Sequence, residues 1–181
     1  ALSVFAGGAT EDAVDAIVPG GSALFDALAD RSLAVWTDTV AGPRVSLLET
    51  IREFAEEAAR AAGEWEQFRT AHAAWTADLV RAAEDAFLGR DLRRWSERLD
   101  LEMGNVRRAV EYAWERQDGP LSAALIGGLV LYLEHRGHAR EGFQWARRAL
   151  ALEGLDEQER IRRLPVVSRL RFRVAEFGAG G

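Results

Sequence analysis

Cysteine and lysine are both absent from this 181-residue sequence, and it holds only three histidines and four prolines. Without cysteine there are no disulfides, thiol nucleophiles or zinc–thiolate clusters. Few prolines and 48% hydrophobic residues exclude a disordered, proline-rich tail. Long apolar runs are missing too: the longest patch, Ala123–Leu133, has 11 residues and suits a buried helix, not a bilayer span. The opening Ala1–Gly8 is apolar but lacks the basic region and length of a secretory signal. A cytoplasmic location without membrane contact is therefore expected. A start without methionine, directly in a hydrophobic phrase, suggests a chain that begins inside a longer gene product.

What is present is helical in bias, with alanine, leucine, glutamate and arginine throughout. The net charge of −6 is uneven: residues 1–100 carry 18 acids and 10 arginines, and residues 101–181 carry 11 acids and 13 arginines. Excess negative charge opposes nonspecific nucleic-acid binding.

Thr10 is placed to cap a first helix whose Ala13, Val14 and Ile17 face inward, ended by Pro19-Gly20-Gly21. A second helix from Ser22 would bury Leu24, Phe25 and Leu28. Leu33–Thr37 and Arg44–Leu47 read as a β-hairpin feeding a helix from Glu49 or Thr50, with Ile51, Phe54, Ala55, Ala58 and Ala59 apolar. A buried Phe54 would cost about 3–5 kcal/mol on truncation to alanine. This order resembles a winged-helix unit whose opening helix is missing or upstream.

Only helical signals follow. A long helix spans about 64–88, with Phe68, Ala71, Trp75, Leu79 and Ala82 or Ala83 inward; a short one packs Leu92, Trp95 and Leu99. Asn105, after Met103-Gly104, is placed to cap a further segment. A helix over Leu121–Arg136, a turn at Gly137-His138 and a helix over Glu141–Leu152 complete the pattern. With Gly142 and Ala149 at small-residue positions, Ala123–Leu152 resembles one tetratricopeptide repeat. Pro165 breaks the arginine-rich last segment.

The expected fold is mainly α: an incomplete winged-helix unit with a short hairpin over residues 1–62, then antiparallel tetratricopeptide-like helices over 63–181 with an atypical C-terminal segment.

No catalytic constellation, nucleophile elbow or P-loop stands in the sequence. His135 and His138, with Glu134 and Glu141, could form part of a metal ligand set only on an unbroken helix, and Gly137 interrupts it. No catalytic, cofactor or metal residue is assigned. Most of the six tryptophans sit at core spacing; Trp36, beside the hairpin, is a candidate interdomain contact. The candidate groove reader, Ser22–Arg31, carries Asp26 and Asp30 against Arg31 alone, which disfavours direct DNA contact. Arg162, Arg163, Arg169, Arg171 and Arg173 form a candidate electrostatic docking surface.

Four phrases, together with Gly137–Leu152, carry a family resemblance: Leu2–Thr10, Leu24–Leu33, Arg44-Val45-Ser46-Leu47-Leu48-Glu49-Thr50-Ile51-Arg52-Glu53-Phe54-Ala55, and Leu99-Asp100-Leu101-Glu102-Met103-Gly104-Asn105-Val106-Arg107-Arg108-Ala109. Together they resemble bacterial transcriptional regulators of the signal-transduction ATPase class, including LuxR-type and AfsR-like large regulators. The resemblance implies a nucleotide-binding domain, with ATP or ADP, upstream of a winged helix and tetratricopeptide-like helices. It also implies that Leu48-Glu49 lies where related switches place a His-Asp pair; Glu49 keeps an acid, but Leu48 cannot replace a histidine contact. Trp36, Arg44, Glu49 and Arg52 become candidate contacts to that domain. The expected role is a regulatory segment that also meets a protein partner or couples homo-oligomerisation; the alternative is a stand-alone interaction adaptor.

Overall fold

Ala34–Thr39 (β1) and Gly42–Leu47 (β2) form an antiparallel hairpin in which Trp36 faces Val45 and Thr37 faces Arg44. The computed structural model describes residues 1–87, 91–152, 154–155 and 168–171. Gly42 closes the turn at φ +103°, a conformation that L side chains resist, and the Thr39 hydroxyl donates to its carbonyl at 2.7 Å. β1 starts one residue and ends two residues later than the expected span, and β2 starts two residues earlier. Ala9 adds a third line of backbone pairing, exchanging two 2.9 Å hydrogen bonds with Val45.

Before the hairpin lie a 3-10 turn at Leu2–Val4 and two short helices, Glu11–Ile17 (α1) and Phe25–Asp30 (α2). Thr10 caps α1 as expected, accepting from the Ala13 N–H at 3.3 Å. A 3-10 turn at Gly21–Leu24 takes up the start expected for α2; Phe25 is buried, but Leu24 is 63% exposed. After the hairpin come Glu49–Ala61 (α3) and Trp65–Phe87 (α4).

Phe54 corrects the sequence reading. It is 69% exposed, and of the apolar residues expected inward on α3 only Ala59 is buried. The periodicity marks an apolar face, but the described residues do not cover it.

Leu92–Glu115 (α5) is one continuous helix, not the expected pair. Asn105 therefore caps nothing; it is buried at mid-helix. Gly104 does not break the helix either: it lets the Ala6 carbonyl approach so closely that an added Cβ would lie 2.7 Å from that oxygen. Conversely, the single helix expected over Leu121–Arg136 is two, Gly119–Gly127 (α6) and Val130–His135 (α7). Gly127 and Gly128 have low helix propensity, and Gly128 faces Val80, whose Cγ1 would stand 2.5 Å from a Cβ there. Ala139–Ala151 (α8) follows a turn with Gly137 at φ +78°. Gly142 faces Leu133 and Leu170, so helix pairing is close where a small residue was expected.

Two apolar cores result. Leu2, Val4, Phe5, Val14, Phe25, Ala34 and Val45 form one with Trp65 at the start of α4; Val80, Leu99, Val106, Leu125, Leu129, Tyr132 and Trp145 are central to the other. Helix α4 serves both, so its buried face includes His72, Ala73, Thr76 and Val80, beyond the stripe read from the sequence, while Ala82 is exposed. The described residues are mostly helical, with one small open antiparallel hairpin among them.

Candidate interdomain junction

The strap formed by residues 1–9 runs between the hairpin, α4 and α5, and its backbone polar groups need partners once buried. Helix α5 supplies them. The Asn105 carboxamide oxygen accepts from the Ala6 N–H at 2.7 Å, and Arg108 donates to the Ser3 and Val4 carbonyls at 3.1 and 3.0 Å. Gly8 holds φ +82° in the strap; a side chain there would drive a Cβ to 2.6 Å from the Val45 carbonyl.

Arg44 enters this arrangement from β2. Its guanidinium engages both carboxylate oxygens of Glu102, Nη2 to Oε2 being 3.2 Å, and Nη2 also donates to the Gly8 carbonyl at 2.8 Å. Arg44 is 4% exposed and Glu102 1%. The Asn105 amide nitrogen donates to Glu102 Oε2 at 2.6 Å and reaches the Gly8 carbonyl at 3.4 Å. A buried ion pair needs such additional hydrogen bonds to offset its desolvation. One strand, one strap and one helix thus share a polar node between the two apolar cores.

His72 abuts the node from α4, with Nε2 3.4 Å from Asn105 Oδ1 and Phe5 edge-on at 5.0 Å between ring centroids. Burial pushes its pKa down to about 4; Arg108 lowers it further, while the Asn105 hydrogen bond works in the opposite direction. The imidazole is neutral at neutral pH, so Nε2–H can donate to the Asn105 oxygen.

The residues singled out in the sequence divide. Arg44 turns into the chain's own interior. Trp36 is half-buried, stacking edge-on against Phe25 at 5.7 Å. Glu49 is exposed in the first turn of α3 and pairs with Arg52, which holds its carboxyl below the usual range; Leu48, the residue before that helix, is 45% exposed. Trp36, Glu49 and Arg52 are thus at the surface or partly exposed, while Arg44 is buried. Arg169 pairs with Glu134 at 2.7 Å, and Arg171 is exposed. Arg162, Arg163 and Arg173 lie outside the described residues. Glu141 pairs with Arg107 at 2.8 Å, and His138 stacks on Tyr132. Among the described residues no three His, Asp or Glu side chains cluster as metal ligands, and no helix is long and apolar enough to cross a membrane.

Sequence reading missed the roles of Glu102, Asn105 and His72. A signal was present: Glu102 and Asn105, three apart, interrupt the stripe Leu99, Met103, Val106, Ala109 and Val110, and polar residues on a buried stripe require partners.

A Mycobacterium bovis protein and two Mycobacterium tuberculosis proteins, each described as an HTH-type transcriptional regulator, are 32% identical to this chain over 184 aligned positions. The match covers 95% of this chain and 19% of each relative. The chain is similar to about a fifth of a bacterial HTH-type transcriptional regulator. No family model matches it, and no solved structure matches it. The strap, β2 and the middle of α5 meet at the Arg44–Glu102 node.

Proposed function

We propose that this chain is a non-catalytic regulatory and interdomain segment of a bacterial ATPase-type transcriptional regulator. Residues 1–62 act as a partial winged-helix unit against an upstream nucleotide-binding domain, and residues 63–181 form a tetratricopeptide-like region that receives a protein partner. The observation that carries this reading is the buried node: Arg44, Glu102, Asn105 and the Gly8 carbonyl tie the hairpin unit to the helical unit. A displacement at the hairpin cannot leave α5 unaffected without separating buried charges, which is costly. Such a connection suits transmission between domains. ATP or ADP belongs to the upstream domain; this segment supplies Trp36, Glu49 and Arg52 as its contact surface.

The test uses the whole regulator. Its reading frame upstream of Ala1 is expected to encode a P-loop and an acidic nucleotide-binding strand; absence of both overturns the ATPase assignment. Glu49→Ala/Arg52→Ala in the full-length protein is expected to change ATP or ADP affinity at least threefold without unfolding this segment. Unchanged affinity overturns the contact assignment.

A further inference from the structure

A cavity of about 320 Å³ lies between α3, α4 and α5, and Val4 of the strap forms part of its wall. Three arginines and three glutamates line it as well. Four of these charges neutralise one another within the chain: Arg60 pairs with Glu56 at 2.5 Å, and Arg69 pairs with Glu115. The other two, Arg108 and Glu111, have no ion pair among the described residues. Both stand on α5, three positions apart, so they share one face of the helix with Cβ atoms about 5–6 Å apart.

Arg108 is only partly committed to the fold. Its Nη1 donates to the Ser3 and Val4 carbonyls, which leaves the Nε–H and Nη2–H edge of the guanidinium without an acceptor among the described residues. The side chain is half-buried, and burial first, then the charge of Arg52, lowers its pKa against the opposing pull of Glu56, Glu111 and Glu49. A cation partly withdrawn from water is costly without a counter-charge, and the free edge presents two parallel N–H groups, the geometry that a carboxylate accepts. Glu111, on the same wall, is an exposed acid open to a cation. One unpaired charge of each sign, close together in one cavity, matches a ligand that carries one of each. We propose that this cavity binds a free α-amino acid, its carboxylate forked by Nε and Nη2 of Arg108 and its ammonium facing Glu111. The same guanidinium holds the strap through Nη1, so the bound carboxylate fastens α5 to the strap beside the hydrogen bond from the Ala6 N–H to Asn105. A small-molecule input thus reaches the junction between the two apolar cores.

Isothermal titration calorimetry of the 181-residue chain with each of the twenty L-amino acids, and with acetate, methylammonium and inorganic phosphate, provides the test. At least one amino acid is expected to bind about tenfold or more tightly than acetate, methylammonium or phosphate, since each of these can satisfy only one of the two charges. Arg108→Gln and Glu111→Gln are each expected to weaken that binding at least about tenfold, whereas Arg81→Gln, at an exposed arginine outside the cavity, leaves it unchanged. Arg108→Gln also removes two hydrogen bonds to the strap; if that variant fails to fold, Glu111→Gln at its exposed position decides. Binding of no amino acid overturns the proposal. Acetate or phosphate binding as tightly as the best amino acid overturns it as well, because the cavity is then an anion site only. So does an amino-acid affinity that Glu111→Gln leaves unchanged. None of these results touches the nucleotide-affinity test of Glu49→Ala/Arg52→Ala, so the amino-acid site and the regulator reading fail separately.

Discussion

The guanidinium of Arg44 lies against the carboxylate of Glu102, 58 positions later in the chain, with both side chains almost fully buried. Arg44 leaves a strand of the hairpin and Glu102 projects from the middle of α5, so neither local structure accounts for the other. Their pairing, completed by Asn105 and the Gly8 carbonyl, is where the two apolar cores exchange polar contacts.

Removing one partner leaves the other charge buried and uncompensated. Arg44→Ala is expected to lower unfolding stability by about 3–5 kcal/mol, and Arg44→Met/Glu102→Met to recover most of that loss. Urea unfolding of both singles and the double in a mutant cycle gives the coupling. A loss below about 1 kcal/mol for Arg44→Ala would contradict a buried pair.

Phe54 and Phe25 provide a matched comparison. Phe54→Ala removes a ring that is 69% exposed and is expected to cost below about 1 kcal/mol in this chain. Phe25→Ala empties a site that is 2% exposed and should cost about 3–5 kcal/mol. Equal effects in reversible denaturation would show that Phe54 is covered.

At Gly104, helix propensity and packing predict opposite signs. Alanine within a helix gains about 1 kcal/mol over glycine. Here its Cβ would lie 2.7 Å from the Ala6 carbonyl oxygen, so backbone must move, and Gly104→Ala is expected to destabilise by about 1–3 kcal/mol. A raised melting temperature would show that the strap does not pack on α5 as described.

His72 binds a proton more weakly in the fold, at about 4, than in the unfolded chain, near 6.5. Between these values the unfolded state holds more protons, so stability falls as pH drops from 6.5 and this contribution levels off below about 4. The full effect is on the order of 3 kcal/mol. Urea midpoints from pH 7 to 4 should fall less steeply for His72→Asn than for the parent; parallel curves would exclude His72 as the source.

Much of the local structure was legible from residue pattern. Thr10 capped its helix because a hydroxyl before Glu11 and Asp12 can satisfy an orphan N–H, and the hairpin and the start of α3 followed from period-two and helical spacing. Gly104-Asn105 was misread because glycine followed by asparagine carries the same local signature whether it ends a helix or admits a neighbouring backbone. Only the strap's carbonyl at Ala6 distinguishes the two.

The sequence by itself determined the helical class, the hairpin and the apolar faces, since these arise from propensity and periodicity among residues a few positions apart. The tertiary structure decided which faces are covered, leaving Phe54 exposed and burying Arg44, because burial depends on segments brought together from distant positions. It also decided that Glu102 and Asn105, polar residues on an otherwise apolar stripe, hold together the strap and the hairpin: in a low-dielectric interior a charge persists only where an opposite charge and hydrogen-bond donors have been folded around it.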